Sequence, residues 1–224
     1  MAPAFCVKKG VMVTKRITAL RKQGGRKKRV NVYLDDNFAF SLEPEVVIKG
    51  HLAVGRELDG DTITELSGAD IFQRCMNAAA YYLGYRPRSE SELRERLSRR
   101  GFDAEIIGTV LLRLKELGLV DDMEFARFWR ENRQSFSPRS GSMTRLELKR
   151  KGVAEEIISQ VLDTVSDEDA AYQAGLIRAR RLTTSDYQTF RRRLGEYLKR
   201  RGFGYGVIKK AVEQLWQELG SGSE

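Results

Sequence analysis

The chain holds one histidine, His51, in the run Lys49-Gly50-His51-Leu52. A histidine-based proton relay or activated nucleophile would have to use it, and no nucleophile motif stands beside it. Asp121-Asp122 has the composition of a metal-binding pair. An aspartate at the start of a helix accepts hydrogen bonds from free backbone N–H groups, however, and that capping role accounts for the motif. Gly202-Phe203-Gly204-Tyr205-Gly206 is glycine-rich but follows a helical pattern and not a strand, so it reads as a turn. No Gly-x-x-x-x-Gly-Lys-[Ser/Thr] phosphate cradle occurs. Cys6 and Cys75 are far apart and have no zinc-ligand spacing. Cys75 is expected in the core and Cys6 as an exposed thiol in a loose tail, a usage that fits the cytoplasm. Trp129 and Trp216 fall on helical faces and are expected to be core. These residues predict no enzyme, no cofactor and no metal.

Basic clusters offer a different chemistry, the capture of phosphates or acidic protein surfaces. Lys149-Arg150-Lys151 and Lys199-Arg200-Arg201 recur at one position of a repeat, and Arg191-Arg192-Arg193 adds a third run. Residues 191–210 carry eight basic residues against Glu196. The dipole at a helix C-terminus already favours one or two cations there. It does not call for three in succession in two copies. The net charge of +9 is concentrated at the start: residues 1–34 hold ten basic residues, among them Arg26, Lys27, Lys28 and Arg29, and no acid. Such a segment is either a nucleic-acid-contacting arm or a solvated tail. The candidate contacts are therefore Lys149, Arg150, Lys151, Arg191, Arg192, Arg193, Lys199, Arg200, Arg201 and residues 26–29.

The elements that carry these residues are legible in the patterning. No apolar run approaches the length of a membrane span, and the start has no apolar signal core. Residues 1–12 are expected to be a disordered tail, with Met12 a plausible true start. Residues 13–68 form a small β-containing region. Val30, Val32 and Leu34 alternate, as do Phe38, Phe40 and Leu42, on either side of Asp35-Asp36-Asn37, a hairpin signature. Two strands alone are marginal, so a third is expected within 13–20 and a short helix within 45–52.

From about Ala69 the periodicity is helical. Arg99-Arg100-Gly101-Phe102, Arg150-Lys151-Gly152-Val153 and Arg200-Arg201-Gly202-Phe203 are one signature, with glycines 51 and 50 residues apart. Each is preceded by a leucine (Leu97, Leu148, Leu198) and leads into a broad apolar stripe. This is a tandem repeat. Ser89 with Glu92 is a capping box worth about 1 kcal/mol. Gly101 is the left-handed residue that stops that helix, Gly118 ends the next, and Asp121 with Glu124 starts another. Each unit thus holds three helices, the leading ones over about 70–85, 122–135 and 167–181. The units are 69–121, 122–166 and 167–219, followed by a flexible tail at 220–224. One unit has too little core to stand alone, so stacking into an elongated, curved, mostly α solenoid is expected.

Arg88-Ser89-Glu90-Ser91-Glu92-Leu93, Arg100-Gly101-Phe102, Leu117-Gly118-Leu119-Val120-Asp121-Asp122 with Phe125-Ala126, and Arg201-Gly202-Phe203 resemble the RecX family of bacterial regulators of the RecA recombinase. The resemblance covers roughly residues 70–218, and the β-containing region matches more loosely. It implies three tandem three-helix repeats and a non-enzymatic, monomeric inhibitor lodged against the RecA filament on single-stranded DNA. Such a protein blocks filament growth or promotes filament loss, and so lowers ATP hydrolysis, strand exchange and co-protease activity. Direct contact with single-stranded DNA would be weak and salt-sensitive. No catalytic residue carries over. A stand-alone helical nucleic-acid-binding protein is the alternative that the basic segments leave open.

Overall fold

A computed structural model describes residues 14–24, 29–163, 166–182 and 186–220. The expected tails, Cys6, Met12, Val13, Arg26, Lys27 and Lys28 lie outside the described residues, save Gly220. The chain divides into two compact units, Met1–Tyr81 with Leu97–Val110, and Tyr82–Arg96 with Leu111–Glu224. No described helix is long and apolar enough to cross a membrane.

The first unit is built on an antiparallel sheet of β1 (Lys15–Lys22), β2 (Val30–Leu34), β3 (Asn37–Leu42) and β4 (Glu57–Leu58), in the order β3-β2-β1-β4. Asp35 and Asp36 both have positive φ, 47° and 64°. Two left-handed central residues give the turn the twist that matches a hairpin, and aspartate tolerates them. Alternation then buries Val30, Val32 and Leu34, the last two in a core shared with Ile17, Leu42, Leu58 and Val46 of α1 (Pro44–Lys49). The expected third strand and short helix are both present. The two-residue β4 leaves no period to detect and was not expected.

The leading helix α2 runs Gly60–Leu83, ten residues earlier than its expected start near 70. Asp59 Oδ1 accepts a hydrogen bond from Thr62 N at 2.8 Å, so the helix is capped well ahead of the periodic stretch. The added turns place Leu66 in the sheet's core, and Asp70, just beyond them, pairs with Arg29. Glycines at 60 and 68 lower intrinsic helix propensity, and tertiary packing overrides them.

The remaining helices are α3 (Glu90–Ser98), α4 (Ala104–Glu116), α5 (Asp122–Phe136), α6 (Gly141–Arg150), α7 (Glu155–Leu162), α8 (Asp167–Ala179), α9 (Tyr187–Arg200) and α10 (Tyr205–Gly220). The fold is mostly α, in three-helix sets behind a small β region, as expected. Helices α5–α7 enclose Phe125, Ala126, Leu148, Ile158 and Val161. Helices α8–α10 enclose Ala171, Ala174, Phe190, Leu194, Leu198 and Leu215.

Candidate interaction surface

Within the second unit, two joints of one design link successive helical sets. Each forms where the start of one middle helix meets the glycine turn after the next. At the first, Ser89 Oγ accepts from Glu92 N at 3.2 Å and donates to the Lys151 carbonyl at 2.6 Å. Glu90 N donates to Asp122 Oδ1 at 2.9 Å. At the second, Ser140 Oγ accepts from Met143 N at 3.2 Å, and Ser140 N donates to the Arg201 carbonyl at 3.1 Å. Gly141 N donates to Asp167 Oδ1 at 2.7 Å. Backbone groups left open at helix ends are thus answered by the neighbouring set.

The glycines follow from this approach. Gly152 and Gly202 have φ of 75° and 88°. A Cβ on Gly152 would collide with Ser91, and one on Gly202 would lie 2.5 Å from Ser140 Oγ. Gly101 shares the left-handed turn, φ 84°, but a Cβ there would meet nothing within 4 Å.

The expected capping box at Ser89 is only half formed. The hydroxyl caps as expected, but the Glu92 carboxylate does not return to the helix start. It accepts from Arg86 Nη2 at 2.9 Å and from Lys151 Nζ at 2.7 Å. Burial opposes its charge, but the hydrogen bonds from Arg86 and Lys151 outweigh this and hold the carboxyl at about 2, against 4.5 ordinarily. Lys151 also sits 4.1 Å from the centre of the Trp129 ring, whose Nε1 donates to Glu147 at 2.8 Å. Trp129 is therefore half-buried and shared between packing and cation contact, not simple core. Trp216 packs on Tyr187 and Phe190, with centroids 5.4 and 5.2 Å away.

Three of the expected contact residues point inward. The Lys151 side chain is only 18% exposed and is held by Glu92 and Trp129. Arg201 donates to Ser137 Oγ and the Pro138 carbonyl, both at 3.0 Å, and covers the Tyr197 ring at 4.5 Å. Arg29, in the first unit, pairs with Glu43 at 2.8 Å and Asp70 at 2.9 Å and also reaches the Ser41 carbonyl. The third cation of each repeated triple thus fastens a joint, which the helix dipole alone does not explain.

The others face outward. Lys149 pairs with Glu155 at 2.8 Å, and Arg145 shares that carboxylate. Arg150, Arg191, Arg192, Arg193, Lys199 and Arg200 are exposed, and none makes an ion pair among the described residues. Arg191, Arg192 and Lys199 border a groove of about 380 Å³ between α9 and α10. Across it stand Tyr205, Ile208, Lys209 and Val212, none of them among the expected contacts. Their three- and four-residue spacing, with Tyr205 left exposed, was the available signal.

The residues weighed for catalysis take structural places. His51 is exposed in a left-handed turn, φ 48°. Asp121 caps α5 by accepting from Met123 N and Glu124 N. Cys75 is fully buried, and burial raises its thiol to about 11. Among the described residues, no three His, Cys, Asp or Glu side chains cluster as a metal site.

Residues 15–59 match the model of the regulatory protein RecX N-terminal domain. Residues 75–114 match the first three-helix domain of RecX, and residues 121–162 the second. The chain is similar to the regulatory protein RecX of Bacillus licheniformis, 31% identical over 212 residues that span 93% of this chain and 80% of that protein. It is similar to the RecX of Clostridium botulinum strain Alaska E43, 28% identical over 89% of this chain and 95% of that one. A crystal structure of regulatory protein RecX superposes with a TM-score of 0.64 at 25% identity, covering 89% of this chain and 99% of that chain.

Proposed function

The chain belongs to the RecX family of regulatory proteins, and from that premise we propose that it binds the RecA filament on single-stranded DNA and inhibits it. Inhibition proceeds by blocking filament extension or promoting disassembly, and lowers ATP hydrolysis, strand exchange and co-protease activity. The protein acts in the cytoplasm as a monomer, by occupancy and without catalysis or cofactor. Its helical part works as three units, 69–121, 122–166 and 167–219.

The observation that carries this reading beyond family membership is the run of exposed cations on α9. Arg191, Arg192, Arg193, Lys199 and Arg200 have no carboxylate partner among the described residues. Five such cations on one helix make a dense positive surface of the kind an acidic partner neutralises. Any direct hold on single-stranded DNA is weak and fades with salt.

The test is RecA ATP hydrolysis on single-stranded DNA with substoichiometric added protein. The expected result is a progressive fall in rate with loss of filament. An unchanged rate with intact filaments refutes the proposal. Tight duplex binding that survives moderate salt without RecA favours a stand-alone nucleic-acid-binding protein instead.

A further inference from the structure

On α9, Gln188, Arg191, Gly195 and Lys199 recur at three- and four-residue intervals and so share a stripe. Tyr205, Ile208, Lys209 and Val212 do the same on α10, and the two stripes flank the groove between these helices. Tyr187, Gly195, Ile208 and Val212 are the less exposed lining residues; Tyr187 is packed on Trp216, and the other three make the floor between the two stripes. The exposed rim carries Arg191, Arg192, Lys199 and Lys209 against one carboxylate, Glu196. Lys209 has only a loose pair, 4.0 Å from Glu213.

Gly195 lies inside a 14-residue helix, where glycine is less favourable than any residue except proline. Close packing does not demand it: a Cβ there would meet Ile208 Cγ2 at 3.7 Å, an ordinary contact. What the missing side chain leaves is the opening of the groove.

An aliphatic floor under a cationic rim is complementary to an apolar side chain flanked by carboxylates. Single-stranded nucleic acid would require successive aromatic faces on which to stack bases. Tyr187 is already packed on Trp216 and only Tyr205, 74% exposed, stands open at the mouth. We propose that the α9–α10 groove seats an acidic segment of the partner protein, one apolar side chain over Gly195 and its flanking carboxylates on Arg191, Arg192, Lys199 and Lys209. The identity of that partner rests on the filament-binding reading above; the chemistry of the groove does not.

The full chain is titrated against a short fluorescein-labelled peptide of aspartates and glutamates with one central leucine, followed by anisotropy. A second peptide carries serine in place of the leucine, and oligo(dT) is the competitor. The leucine peptide is expected to bind about fivefold or more tightly than the serine peptide. Gly195→Leu, which fills the groove, should abolish that preference. Arg192→Glu with Lys199→Glu, both exposed, should weaken the leucine peptide about tenfold or more. Equal affinity for the two peptides, or a preference that survives Gly195→Leu, overturns the proposal. So does oligo(dT) binding that displaces the peptide and is itself lost in Gly195→Leu. Should that variant melt below the wild type, the double charge reversal decides, and unchanged peptide affinity overturns the proposal. Inhibition of RecA by the wild type that Gly195→Leu leaves intact refutes the groove while the function stands. Peptide selectivity in a wild type that never inhibits RecA refutes the function while the groove stands.

Discussion

The middle helices of the second and third sets, α6 and α9, end in the same basic triple and use it differently. In α6 and its turn, Lys149 is answered by Glu155 and Lys151 by Glu92. In α9 and its turn, Arg201 is engaged, but Lys199 and Arg200 join Arg191–Arg193 in a surplus without partners among the described residues. The first triple thus has two of its three charges answered inside the fold, Lys151 across to the neighbouring set, and the second presents two of its three outward. Composition alone makes the two clusters equivalent, and only the position of the opposing carboxylates separates them.

The joints themselves offer the most severe way to break this comparison. Gly152→Val adds left-handed backbone strain and a collision with Ser91, together about 3 kcal/mol or more. A calorimetric melting point lower by about 6–12 °C is expected. Gly202→Val should behave alike, while Gly101→Val, strained but uncrowded, should cost roughly half as much. Equal effects at all three positions would show that the approach at the joints contributes nothing.

A smaller effect is expected from the acid side of the first joint. The Glu92 carboxyl titrates in the folded state at about 2, below its ordinary 4.5. A depressed carboxyl stabilises fully above 4.5, and that contribution is lost as pH falls from there toward 2. It amounts to at most about 3 kcal/mol. At neutral pH Glu92→Gln should therefore melt several degrees below the wild type, and the gap should close through that acid window. A gap that stays constant down to pH 2 would show that the ion pairs are not its source.

The smallest effect sharpens the contrast between the clusters. Lys199→Ala with Arg200→Ala should weaken RecA inhibition about fivefold with an unaltered melting point. Lys149→Ala with Arg150→Ala should change inhibition by less than about twofold. Equal losses in the two pairs would place the contact on both turns.

Local features were legible in the sequence because local residues determine them. The repeat period, the left-handed glycines, the caps at Ser89 and Asp121 and the Asp35-Asp36 turn each rest on a few neighbouring residues. The early start of α2 was hidden by Gly60 and Gly68, and β4 by its length. The partners of the charged residues were not legible at all. Lys151 finds Glu92 across 59 positions and Arg29 finds Asp70 across 41, and neither distance carries a pattern. Charge alone consequently grouped residues that the fold uses differently. Lys151, Arg201 and Arg29 hold the fold together, and Tyr205 and Ile208, which line the groove beside Arg191 and Lys199, carry no charge to mark them.

The difference in shielding between fasteners and free cations has a practical consequence. Lys151 and Arg201 are sheltered against an indole, a phenol ring and backbone carbonyls, where dissolved ions screen poorly. The α9 arginines stand in water, where the screening length shrinks from about 10 Å at 0.1 M salt to about 3 Å at 1 M. Concentrated salt should therefore detach this protein from whatever it grips while leaving it folded, and dilution should return it to work, so that one purified sample can be loaded and released repeatedly.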